Sequence, residues 1–122
     1  MPTGTILLID DDITIRGFLQ DFLEDRGFNV ENAGDGLEGV EKFKKGSFDL
    51  VVCDMLMPKM IGLDVLRNIL LVKPDQRVII MSGVKEDSMI EKAKALGCKL
   101  YLSKPVQLKE LEDRIMECFP GG

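Results

Sequence analysis

Thr5-Ile6-Leu7-Leu8-Ile9-Asp10-Asp11-Asp12 is the stretch on which the rest of the chain is read: a short apolar run breaks straight into three aspartates. Five residues are too few for a core helix, and the lack of apolar–polar alternation marks a strand covered on both faces, as in a parallel sheet. The pattern recurs downstream. Phe28–Ala33, Phe48–Cys53, Arg77–Met81 and Leu100–Leu102 are four more short runs.

The stretches between these runs have helical character. Ile13, Phe18, Leu19, Phe22 and Leu23 recur near helical spacing until Gly27. Asp35-Gly36 marks a turn, after which Leu37, Val40 and Phe43 form the next apolar face. Leu63–Val72 is closed by Pro74, Ser88–Leu96 by Gly97, and Gln107–Phe119 follows Pro105. The Gly121-Gly122 end is expected to fray. Five strand–helix units in series predict an α/β fold, a doubly wound five-stranded parallel sheet with helices on both faces. No linker or repeat interrupts them, so residues 1–122 are read as a single domain.

Composition narrows the function. The chain has 122 residues, enough for one hydrophobic core without disulfides or a structural metal. Sixteen basic against twenty-one acidic residues give a net charge of −5, which disfavours general electrostatic binding to nucleic acid. There is no histidine, so histidine catalysis, histidine metal ligation and histidine phosphotransfer by this chain are excluded. Cys53, Cys98 and Cys118 contain no CxxC pair; Cys53 and Cys118 lie in apolar stretches and read as buried thiols of a reducing cytosol. No secretory signal or apolar run of spanning length is visible, so a cytoplasmic location and no membrane partner are expected.

In an open parallel sheet, ligands bind beyond the carboxyl ends of the strands. There the chain places Asp10, Asp11 and Asp12 after the first run, Asp54 after the third, Ser82 after the fourth and Lys104 after the fifth. Carboxylates gathered at one edge repel, and a hard divalent cation or an ammonium relieves them. Asp10, Asp11 and Asp54 offer oxygen ligands for Mg²⁺, and Lys104 offers a fixed positive charge. Such a set suits phosphoryl transfer, with an accessible carboxylate as the nucleophile. Any one aspartate, Asp11 or Asp12 above all, could instead be a helix cap.

These residues carry a family resemblance. Ile6–Asp12 with Ile15-Arg16, Asp54-Met55-Leu56-Met57-Pro58, Ser82-Gly83, Tyr101-Leu102-Ser103-Lys104-Pro105 and Ala33–Glu38 together resemble two-component response-regulator receiver domains. The resemblance spans roughly residues 4–119. It implies a flavodoxin-like (βα)5 receiver fold in which Asp54 accepts a phosphoryl group from a sensor histidine kinase or a His phosphotransfer protein. Asp11, Asp54 and the backbone carbonyl of Leu56 would ligate Mg²⁺, with Asp10 acting through water. Lys104 and Ser82 would bind the phosphoryl group. Tyr101 would turn inward behind Ser82, reshaping the surface of the fourth helix, fifth strand and fifth helix. Pro105 would follow Lys104 through a cis peptide. Other implied partners are an output domain or target protein and a phosphorylation-dependent homodimer. Chemistry would be limited to self-catalysed phosphorylation and dephosphorylation of Asp54. Two positions depart from the family pattern: Ile61 stands where Asp is frequent before Gly62, and Val106 where Phe frequently follows Lys-Pro.

Other readings compete. Asp10-Asp11-Asp12-Ile13-Thr14 is similar to the D-x-D-x-T motif of haloacid-dehalogenase-type phosphatases, with Asp10 as nucleophile and Asp12 as acid–base. Against it, Ile13 replaces the usual glycine and no late acidic pair is available for the metal. A pseudo-receiver that only binds protein would not need the complete set of Asp10, Asp11, Asp54, Ser82 and Lys104. Met55, Met57, Met60 and Ile61 near Asp54 read as core filler ahead of a partner surface. Glu41–Lys45 and Lys109–Arg114 read as solvated helix sides. Leu56 and Val84, each two residues beyond a site residue, are apolar and cannot orient a hydrolytic water, so a long-lived phosphorylated form is expected.

Overall fold

Strand and helix alternate from end to end in the computed structural model, which describes residues 4–83 and 86–119. Val84 and Gly121-Gly122, singled out above, lie outside these residues. The elements are β1 (Thr5–Ile9), α1 (Ile13–Asp25), β2 (Asn29–Ala33), α2 (Gly36–Lys45), β3 (Leu50–Asp54), α3 (Gly62–Val72), β4 (Val78–Ser82), α4 (Asp87–Leu96), β5 (Leu100–Ser103) and α5 (Leu108–Cys118). All four pairings are parallel, in the order β2-β1-β3-β4-β5. The chain steps one way from β1 to β2 and then crosses back over β1 to β3, so a switch point opens beyond the carboxyl ends of β1 and β3.

Alternate strand residues feed two apolar layers. Leu7, Ile9, Val51, Cys53 and Ile80 pack with Val40 and Phe43 of α2, Val65, Leu66 and Ile69 of α3, and Ala93 of α4. Ile6, Leu8, Val52, Ile79 and Met81 pack on the other face with Leu19 and Leu23 of α1 and Leu111 and Ile115 of α5. All five residues of β3 and of β4 are buried, as strands covered on both faces require. Cys53, Cys98 and Cys118 are buried and free. Met55 and Met57 are core residues, with Met60 and Ile61 packed against the same layer, which bears out the core-filling reading.

The structure corrects three expectations. Strand β2 is not apolar throughout: Asn29 and Glu31 are exposed, because β2 is an edge strand with one neighbour. Helix α1 buries only Leu19 and Leu23, while Ile13 and Phe18 are 74% and 58% exposed; Leu37 of α2 also faces outward. Strand limits move too, since β3 starts at Leu50 and includes Asp54, and β4 includes Ser82. A ladder ends where its neighbours stop bonding: Met55 N–H donates to the Met81 carbonyl at 2.9 Å and Lys104 N–H to the Ser82 carbonyl at 2.8 Å.

Candidate functional site

Three loops converge at the switch point. The first follows β1. Asp10 N–H extends the ladder by donating to the Ala33 carbonyl at 3.2 Å, which places the Asp10 side chain at the sheet edge, 1% exposed. Its Oδ1 accepts the Asp12 N–H at 2.9 Å, while its Oδ2 is buried with no hydrogen-bond partner. Arg16 anchors the same turn through Nη1, which donates to the Asp10 carbonyl at 2.7 Å. Asp12 turns the other way: its Oδ1 accepts the N–H groups of Thr14 at 2.9 Å and Ile15 at 3.1 Å, capping α1.

The second loop follows β3. Asp54 closes the strand at 3% exposure, and the chain then doubles back through Met57-Pro58 into α3. Gly62 N–H donates to the Met55 carbonyl at 2.6 Å. A Cβ on Gly62 would sit 2.5 Å from the Asp54 carbonyl oxygen, so only glycine lets α3 start this close to the strand. Lys59, in the same loop, has φ 71°, a left-handed conformation costly for a side chain with a Cβ. Leu56, next to Met55, is 48% exposed.

The third loop follows β5. Lys104 Nζ lies 2.5 Å from Asp54 Oδ1, and the Lys104–Pro105 peptide is cis. Ser82 is buried at the end of the neighbouring strand β4. Tyr101 is half-buried, with its hydroxyl donating to the Cys98 carbonyl and the Lys94 ammonium 5.7 Å from its ring centroid.

Ligand oxygens of Asp10, Asp11 and Asp54 all lie within 4.8 Å of one another. Burial pushes the Asp10 carboxyl above its ordinary value, opposed by the Asp12 N–H and reinforced by the charge of Asp54. Burial likewise raises Asp54, opposed by Lys104. Burial disfavours the charged Lys104, yet the bond and charge of Asp54, with the charges of Asp10 and Glu86, outweigh it and hold the ammonium protonated. Three carboxylates against one ammonium leave the pocket two charges negative. A divalent cation with oxygen preference fits this donor set, and the buried Asp10 Oδ2, which has no hydrogen-bond partner in the protein, fits an acceptor for a water of such a cation.

Asp10, Asp11, Asp54 and Lys104 are therefore brought together; Ser82 stands at the same edge, Tyr101 lies toward α4, and Asp12 is directed away. That placement does not favour the phosphatase reading, which needs Asp12 at the reaction centre. Two residues had no role assigned from sequence. Arg16 lay within the quoted motif, and its position six residues after Asp10, one helical turn past the Asp12 cap, was the available signal. Glu86, 5% exposed, lies two residues before the helix expected from Ser88, and nothing local in the sequence marks it as buried.

Comparison with known proteins gives a consistent picture. A family model described as the response regulator receiver domain matches residues 6–116. The chain is 40% identical over 122 residues to the chemotaxis protein CheY-3 of Vibrio cholerae, covering 92% of this chain and 91% of that protein. It is 32% identical over 120 residues to the sporulation initiation phosphotransferase F of Bacillus subtilis, covering 98% and 97%. A crystal structure of a response regulator receiver domain protein from Clostridium thermocellum superposes with a TM-score of 0.91 at 36% identity, covering 95% of this chain and 94% of that one.

Proposed function

Because this chain belongs to the response regulator receiver domain family of two-component signalling, we propose that it acts as a phosphorelay receiver, a single domain over residues 1–122, with Asp54 as phosphoacceptor. The observation that carries the reading is a nearly buried Asp54 carboxylate with Lys104 Nζ 2.5 Å away and two further carboxylates beside it. An Asp54 oxygen attacks the phosphorus of a phosphohistidine on a sensor kinase or His phosphotransfer protein. The phosphorus–nitrogen bond breaks, and its electron pair leaves with the imidazole, which takes up a proton. The partner must supply the histidine, since this chain has none.

Within the pocket, Lys104 binds a phosphoryl oxygen, and Ser82 turns to donate its hydroxyl to another. Asp11, Asp54 and the Leu56 carbonyl would hold Mg²⁺ directly, with Asp10 acting through water. A cation held there would supply neutralisation of charge on the phosphoryl oxygens. The dianion of about −1.5 to −2 charge then biases Ser82 and Tyr101, and with them the surface of α4, β5 and α5, towards an output domain, a target protein or a second copy. Pro105 shapes the loop that presents Lys104. No direct contact with nucleic acid is assigned to this domain. Among the described residues, no helix is long and apolar enough to cross a membrane; a cytoplasmic location is part of this reading.

Incubation with Mg²⁺ and acetyl phosphate should add one phosphoryl mass, and Asp54→Asn should abolish it. Undiminished labelling of the Asn variant, with the label on Asp10, would return the phosphatase reading.

A further inference from the structure

Among the described residues, one carboxylate outside the acidic cluster is buried: Glu86, between β4 and α4. It occupies the N-cap position of α4, where a side-chain oxygen normally accepts N–H groups of the first helical turn. Here it makes no such bond. Its Oε2 instead accepts the backbone N–H of Gly83, while the Glu86 N–H donates to the Gly83 carbonyl at 3.3 Å. Ser82 carbonyl and Gly83 N–H belong to one peptide group, and the carbonyl end accepts the Lys104 N–H at 2.8 Å. That peptide is pinned at both ends. The carbonyl bond continues the β4–β5 pairing, whereas the N–H bond is made by a side chain that can rotate. Gly83 makes the contact possible, because a Cβ there would sit 2.8 Å from Glu86 Oε2.

We propose that Glu86 is a two-position latch: it holds the Ser82–Gly83 peptide in the resting arrangement and swings onto the N–H groups of the first turn of α4 when Ser82 turns to the phosphoryl group. This rests on Asp54 being the phosphoacceptor. A side chain with two alternative backbone partners, one on the switch residue's own peptide and one on the helix of the responsive surface, is the bistable element that the function requires. The latch opposes Ser82 until the pocket is filled, then stabilises the helix start that follows.

Amide exchange followed by NMR on the whole chain, with Mg²⁺ and beryllofluoride as the phosphoryl mimic, tests this. In wild type the mimic should unprotect Gly83 and protect Ser88 and Met89, each by about ten- to hundredfold, the scale of one hydrogen bond to a charged group. Glu86→Ala should abolish both changes, with Gly83 already fast in the free protein. Gly83→Ala should displace the carboxylate and tighten beryllofluoride binding severalfold. Should Glu86→Ala fail to fold, Glu86→Gln, which keeps an acceptor oxygen, should retain both changes at reduced size. Gly83 protection that is unaltered by saturating beryllofluoride, or by Glu86→Ala, overturns the latch while leaving the phosphoacceptor intact. A beryllofluoride response that survives in Asp54→Asn overturns the phosphoacceptor instead.

Discussion

Replacing Gly62 with alanine tests whether the end of β3, which carries Asp54, is positioned by close backbone approach. An alanine Cβ would lie 2.5 Å from the Asp54 carbonyl oxygen and 2.8 Å from Met55 Cα. Both are backbone atoms at the end of β3, which is paired on one side with β1 and on the other with β4 and cannot give way. The start of α3 must move instead, stretching the 2.6 Å bond from Gly62 N–H to the Met55 carbonyl. Overpacking costs about 1–3 kcal/mol, and weakening the bond about 0.5–1.5 kcal/mol. Replacing a helical glycine returns about 0.5–1 kcal/mol. The net loss is about 2 kcal/mol; at ~2.1 cal/mol/K per residue, a chain of 122 residues should melt about 8 °C lower. Gly17 in α1 is the internal control. A Cβ there meets nothing within 4 Å, so Gly17→Ala should raise the melting temperature by about 2–4 °C. Thermal melts by circular dichroism read both, and acetyl phosphate labelling should fall in the Gly62 variant alone. A Gly62→Ala protein melting within about 2 °C of wild type, or both variants shifting alike, would refute the close-approach argument.

Four further outcomes are expected. Asp12→Ala should cost about 1 kcal/mol of stability through the lost α1 cap while leaving Mg²⁺ affinity intact, and Asp11→Ala should do the reverse; equal effects in calorimetric titration and melting would contradict the division. Asp10→Asn should stabilise the cation-free protein by about 1–3 kcal/mol at neutral pH, because it removes a buried charge with an unpartnered oxygen. The folded Asp10 pKa is raised, so wild type gains stability as pH falls through it, and the advantage of the Asn variant should fade towards pH 3.8, the ordinary carboxyl value; an advantage constant with pH in denaturant titrations would refute this. Lys59→Asn should stabilise by about 0.5–1 kcal/mol in urea titration, because asparagine tolerates φ 71° better and the lost 3.4 Å pair with Asp35 is long and has an exposed lysine. Leu56→Asn should shorten the life of the phosphorylated protein in excess Mg²⁺, since a polar group at this exposed position two residues beyond Asp54 can orient water; unchanged or slower decay would count against it.

The acid cluster was legible because its members sit immediately after apolar runs, and a parallel sheet brings such residues to one edge. What could not be read was the direction of each side chain. Asp10, Asp11 and Asp12 are chemically alike, yet Asp10 is buried, Asp11 faces the cluster and Asp12 caps α1. Helical phase and the turn held by Arg16 decide this. Glu86 was missed for the same reason: an acid before a helix is ordinarily a solvated cap, and its burial depends on where β4 and Lys104 lie.

By itself the sequence determined the number, kind and order of the elements, the two-sided covering of the sheet, and the residues that follow each strand. These are local properties: hydrophobic period, run length and the Gly, Pro and Asp stops act within a few residues. Only the tertiary structure decided that β2 is an edge, that Ile13 and Phe18 stay exposed, that Asp54 and Ser82 continue their strands, and that Glu86 turns back onto Gly83. Each depends on which segments become neighbours in space. Burial and hydrogen bonding are satisfied by such neighbours, many of them distant in sequence, so the same aspartate or phenylalanine has a different role on a different neighbour.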